Sequence, residues 1–142
     1  MSTYMNDLLR LSNEYGSDER YVVKGGGNTS VKDGAIMYVK ASGEPLSTIK
    51  KSGFVKMKLS TLETLFGKTY SPNQEVREKE VLQDLMDARF EGETMRPSVE
   101  ALLHSFIPFR FVVHLHPAIV NGLTCSLSGK EAMKQLFKNY WS

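Results

Sequence analysis

Two histidines one residue apart, His114 and His116, sit in the run Phe111-Val112-Val113-His114-Leu115-His116-Pro117, and the chain holds only three histidines. The Val- and Phe-rich residues before them favour a strand, on which alternate side chains share a face, so both imidazoles point the same way. Two imidazoles so placed have the reach to share one metal ion. An ordinary half-exposed strand with one polar face would carry the same pattern, so the pair needs support from elsewhere. A second cluster is Arg96-Pro97-Ser98-Val99-Glu100-Ala101-Leu102-Leu103-His104. Glu100 and His104, four apart, share one face of a helix. Ser98 lies near that helix's start, where a hydroxyl and free backbone N–H groups can hold a phosphate. Glu100 could act as a general base or a metal ligand. The plain structural readings are an N-cap for Ser98, a dipole-matching acid for Glu100 and a hydrogen-bonded helix residue for His104. For His104 the plain reading is preferred.

A third group is the glycine-rich stretch Lys24-Gly25-Gly26-Gly27-Asn28-Thr29-Ser30. Consecutive glycines let backbone approach a ligand and adopt positive φ, and exposed N–H groups in such a turn form an anion nest. Asn28, Thr29 and Ser30 add side-chain donors, and Lys24 could add a charge. No Gly-Lys-Ser/Thr follows at Walker A spacing, and GxGxxG is absent, so neither nucleotide fingerprint applies. A plain hairpin or bulge is the competing reading. Ala41-Ser42-Gly43 is a second small-residue turn of the same kind.

The elements that must position these groups follow from periodicity. Leu8, Leu9, Leu11 and Tyr15 predict an amphipathic helix over 4–15. Tyr21-Val22-Val23 is a short strand candidate leading into the glycines. Ala35–Lys40 reads as a strand after an Asp33-Gly34 turn, and Phe54–Leu59 as a half-buried strand. Ser60 with Glu63 predicts a capping box for a short helix ending at Phe66. Helices are expected over 75–90, with Val81, Leu82, Leu85, Met86 and Ala88 inward, and over 99–106. A strand is expected over 111–115 and a short helix or turn over 117–123. Ser128 and Glu131 suggest a cap for a last helix, with Met133, Leu136, Phe137 and Tyr140 apolar. Helices interleaved with short strands indicate an α/β or α+β sandwich.

Length and composition bound the function. The 142 residues predict one domain with a real core, and 41% apolar with 24% charged residues is ordinary for a globular chain. Net charge is +2 without a basic block, which argues against nucleic acid and permits a small anion. One cysteine, Cys125, excludes an internal disulfide framework. Neither a signal-peptide core nor a membrane-length apolar run is present, so no membrane partner and a cytoplasmic location are expected.

Taken in order, Gly27-Asn28-Thr29-Ser30, Ser42-Gly43, Ser98-Val99-Glu100 and His114-Leu115-His116 resemble the motif series of the class II (zinc-dependent) aldolase/adducin family. The wording around them looks closest to the aldolase portion of bifunctional rhamnulose-1-phosphate aldolase/lactaldehyde dehydrogenase proteins. The resemblance implies an α/β/α sandwich with a central, mostly antiparallel sheet, C-terminally truncated within 1–142. It implies retro-aldol cleavage of a ketose 1-phosphate to dihydroxyacetone phosphate and an aldehyde, through a zinc-stabilised enediolate. By position, Gly27, Asn28, Ser42, Gly43 and Ser98 would bind the phosphate, His114 and His116 would hold Zn2+ or another divalent metal, and Glu100 would be both acid/base and metal ligand. A phosphorylated sugar and further copies of the chain are the implied partners. The sequence departs from the family at Val99, where a second serine is common. It also has no histidine after His116, where the family takes its third zinc ligand. Pentulose-phosphate 4-epimerases and non-enzymatic adducin-type members belong to the same family. Lyase, epimerase and silent assembly domain are therefore all open readings.

Overall fold

The structure, a computed structural model, describes residues 3–23 and 26–138. Lys24, Gly25 and Tyr140 lie outside the described residues, and with them the expected charge at Lys24 and the last apolar position of the final helix.

The helix expected at the start forms as α1 (Met5–Gly16), burying Met5 and Leu8. β1 (Asn28–Asp33) and β2 (Ile36–Lys40) make a hairpin in the register Ser30↔Val39 to Asp33↔Ile36, and Gly34 takes φ 59° at the turn. β3 (Phe54–Lys58) pairs antiparallel with β2, and β4 (Phe111–His114) pairs antiparallel with β1. The sheet order is β3-β2-β1-β4, so β4 lies at an edge.

Alternation along the strands divides the core between the two faces. Val31, Tyr38 and Phe54 pack with Met5, Leu8 and Ile49 beneath α1. On the opposite face Met37, Val39, Val55 and Met57 meet residues of three helices: Leu62 of α2 (Leu59–Thr64), Leu85 of α3 (Gln74–Asp87) and Ala101 of α4 (Ala101–Phe106). Each large apolar side chain buried there stabilises the fold by about 1.5–3 kcal/mol. Helix layers on both sides of an antiparallel sheet are the sandwich that the resemblance implied. α5 (Ala118–Thr124) and α6 (Gly129–Phe137) follow β4 and pack on one another.

Several local expectations are corrected. Tyr21–Val23 is not a strand: the N–H groups of Tyr21 and Val22 bond back to the Asp18 carbonyl at 2.9 and 3.1 Å, which closes a turn. Asn28–Ser30 lie in β1 and not in a turn, because β4 supplies ladder partners far away in sequence. Ser60 is inside α2, whose N-cap is Lys58 without a side-chain cap. Glu100, not Ser98, occupies the N-cap position of α4, and α4 begins two residues later than expected. Ser128 is at the N-cap of α6 but makes no capping bond. β4 ends at His114, so His116 lies just beyond the strand.

Candidate metal and phosphate site

The site forms where β4 ends beside β1. Asn28 stands directly across the ladder from His114. Gly27 precedes it with φ +79°, and a Cβ there would lie 3.2 Å from the His114 carbonyl and 2.9 Å from Leu46 Cδ1. Glycine is therefore required both for its conformation and for the close approach. His116 is held although it is past the strand, because its N–H donates to the Tyr21 carbonyl at 3.1 Å. The turn over 18–22 thus serves as a brace for the second histidine.

The rings of His114 and His116 stack, with centroids 4.8 Å apart and planes at 21°. Glu100 reaches the pair from the start of α4, its Oε2 being 3.3 Å from His114 Nδ1. That approach is within ion-pair range but is not aligned as a hydrogen bond, so Nδ1 keeps no hydrogen-bond partner. One ligand atom from each of Glu100, His114 and His116 lies within 4.8 Å of the others. Two imidazoles and a carboxylate suit zinc or a similar divalent cation, and the unpartnered, buried Nδ1 is what such a site leaves for the ion. The residues fit a metal.

His104 sits behind this set. Its ring centroid is 6.3 Å from that of His114, and its Nδ1 is 2.8 Å from Ser30 Oγ. The hydrogen-bonded helix residue expected at this position is what the structure contains. Burial pushes this imidazole down to about 4, with the charge of Glu100 opposing the shift and His114 and Lys32 adding to it. It is neutral at pH 7, and its Nε2 has no partner. Ser30 was missed as its partner, because the contact joins residues 74 apart in the sequence.

The remaining candidates converge from two other segments. Gly43 takes φ +86° at an exposed turn, and a Cβ there would meet nothing within 4 Å. Ser42 N–H donates to the Arg96 carbonyl at 2.9 Å, and Ser98 N–H to the Lys40 carbonyl at 3.1 Å, which ties the 41–43 turn to the 96–98 segment. Ser98 Oγ accepts from the Glu100 N–H at 3.3 Å. Asn28 is 1% exposed, yet neither its Oδ1 nor its Nδ2 has a partner. Among the described residues, the buried side-chain polar atoms left unpaired are those two, His104 Nε2 and His114 Nδ1. All belong to this one cluster. Folded proteins rarely leave such groups unpaired, since each costs about 1–3 kcal/mol.

The class of protein follows from this fold and motif order. The family model described as the class II aldolase and adducin N-terminal domain matches residues 6–140, and the chain belongs to that family. A Bacillus subtilis (strain 168) protein named as the uncharacterized oxidoreductase YuxG is 31% identical over 144 residues, spanning 95% of this chain and 20% of that protein. The N-terminal class II aldolase domain of a conserved Thermoplasma acidophilum protein superposes with a TM-score of 0.78 at 27% identity, over 96% of this chain and 65% of that one. L-fuculose-1-phosphate aldolase from Thermus thermophilus shares the fold, with a TM-score of 0.56 at 17% identity, over 90% of this chain and 54% of that one. The chain thus spans about a fifth of the curated relative.

Proposed function

We propose that this domain binds a phosphorylated ketose and cleaves it by a retro-aldol reaction, giving dihydroxyacetone phosphate and an aldehyde. The observation that carries the reading is the unpaired, buried Asn28 carboxamide directly across from His114, in the same cluster as Glu100 and His116. In this reading Gly27, Asn28, Ser42, Gly43 and Ser98 receive the phosphate, and Asn28 gains the partners it lacks. His114, His116 and Glu100 hold a divalent cation, preferentially zinc. When bound, the ion supplies Lewis-acid stabilisation of the negative charge that develops as the C–C bond breaks. Glu100 takes a proton from the substrate hydroxyl and returns one to the carbon fragment. Phosphate fixed on the turns sets the reacting carbons beside that carboxylate, which lowers the barrier through orientation. A cytoplasmic, homo-oligomeric protein belongs to the same reading. The oxidoreductase name of the much longer Bacillus relative favours a domain that works next to a redox module.

The test is release of dihydroxyacetone phosphate from several ketose 1-phosphates by the zinc-loaded protein. Turnover is expected, and Glu100→Gln should reduce it by a factor of about 10²–10⁴, the range for loss of a general acid/base. Zinc retained with no release from any substrate would assign the domain to assembly instead. A pentulose phosphate returned with inverted stereochemistry would assign it to epimerisation.

A further inference from the structure

His104 is 0% exposed, lies one helical turn beyond Glu100, and has no part in the reaction proposed above. Its backbone N–H donates to the Glu100 carbonyl at 3.0 Å, and residues four apart share one helix face. Burial keeps the imidazole neutral at pH 7, so it carries one ring proton. Ser30 decides which nitrogen holds it. The Ser30 side chain is 0% exposed, and the one hydrogen bond of its hydroxyl among the described residues is the 2.8 Å contact with His104 Nδ1. With the ring proton on Nδ1, the hydroxyl proton would have no acceptor and Nε2 would be a bare acceptor. With the hydroxyl donating to Nδ1, only the Nε2–H stays unpaired. The second arrangement leaves fewer buried polar groups unmet, and so sets the tautomer. After burial, the largest influence on this ring is the charge of Glu100, ahead of His114 and Lys32. Glu100 Oε2 is 3.3 Å from His114 Nδ1, and the other carboxylate oxygen has no hydrogen bond among the described residues.

We propose that His104 is a positioning residue for Glu100: its Nε2–H donates to the carboxylate oxygen that does not face His114. The terminal torsion of a glutamate carboxyl is broad, so the group turns onto this donor at little cost. One oxygen is then fixed inward, and the other is presented to His114 and His116. Carboxylates that hold a metal are themselves held by hydrogen bonds, and losing that support weakens metal binding by about 10–100-fold. Ser30 sets the tautomer, His104 supplies the donor and Glu100 receives it, so β1 acts on the metal set through α4. The inference rests on the metal-binding part of the reading above and extends it to residues behind the ligands.

The experiment needs no substrate. Nitrogen-15 NMR of the full chain is expected to show the His104 ring neutral and protonated at Nε2, and a proton on Nδ1 would overturn the inference. Calorimetric titration with zinc gives the second readout. His104→Gln, whose amide reaches about as far as Nε2, is expected to keep near-native zinc affinity. His104→Asn reaches only as far as Nδ1, keeps a partner for Ser30, and is expected to weaken zinc by about 10–100-fold. In a Glu100→Ala background His104→Asn is expected to cost no further affinity, because the acceptor is gone. Three results would make His104 structural and overturn the inference while leaving the metal site standing: native affinity in His104→Asn, equal losses in His104→Asn and His104→Gln, or a loss unchanged by Glu100→Ala. If the native protein binds no zinc, the metal reading falls and takes this inference with it.

Discussion

Asn28 carries a carboxamide that is 1% exposed and lacks partners for both its oxygen and its nitrogen. Such a group lowers stability unless something else completes it. Asn28→Leu keeps the approximate volume and removes both unpaired atoms, so urea unfolding should show a gain of about 1–2 kcal/mol. The same variant should lose measurable binding of inorganic phosphate. A stability loss would mean that the carboxamide is already satisfied in solution. At this scale the sequence was informative where motif and spacing coincide: His114, His116 and Glu100 do meet. It was silent on which polar atoms stay unpaired, because pairing depends on neighbours such as Ser30 that only tertiary structure brings to His104.

Elements differ in how far their sequence dictates them. α1 and β3 follow from local periodicity and form as expected. β1 does not: Asn28-Thr29-Ser30 is a poor strand by propensity, and it extends only because β2 and β4 provide ladders on both sides. The start of α3 shows a local signal that was available, with Asn73 Oδ1 accepting from the Val76 N–H at 3.1 Å as an N-cap. The loop before that helix is tied to it by Asp84, which accepts from Lys68 Nζ at 2.6 Å and Tyr70 Oη at 2.8 Å. Burial raises the Asp84 carboxyl, but those two hydrogen bonds outweigh it and hold the group below its ordinary value of 3.8. On acidification the unfolded chain therefore takes up the proton first. Asp84 contributes stability that is present above 3.8 and is lost as pH falls below it. Burial, followed by the bond to Asp84, pushes the Tyr70 hydroxyl up to about 12, so it stays a donor throughout that range. Urea midpoints measured from about pH 6 to about pH 2.5 should fall less steeply in Asp84→Asn than in the native protein. Equal slopes would exclude the contribution.

Across the whole molecule, the sandwich was legible because helical and strand periods alternate cleanly along the chain. The division of the core into two faces was not, since it depends on register. The described residues also leave large apolar side chains exposed after β4: Ile119 at 75%, Leu127 at 108% and Leu136 at 60%. No helix among the described residues is long and apolar enough to cross a membrane.

The position of β4 at the sheet edge has a consequence for how the metal is kept. β4 has one ladder, to β1, and its four residues end at His114. A short strand held on one side opens more readily than the strands inside the sheet, and its amides should exchange with solvent through local unfolding. Opening separates His114 from Glu100, which is anchored on α4, so strand release and metal release become one event. Saturating zinc, at about a hundred times its dissociation constant, should then slow exchange at Val112, whose N–H lies in the ladder to Ser30, by about a hundredfold while leaving Val39 and Val55 unchanged, provided that exchange there does not require opening of β4. Uniform slowing, or none, would separate the two events. Slowing confined to β4 would make the edge strand a clasp, whose strength is set by the ion it closes on.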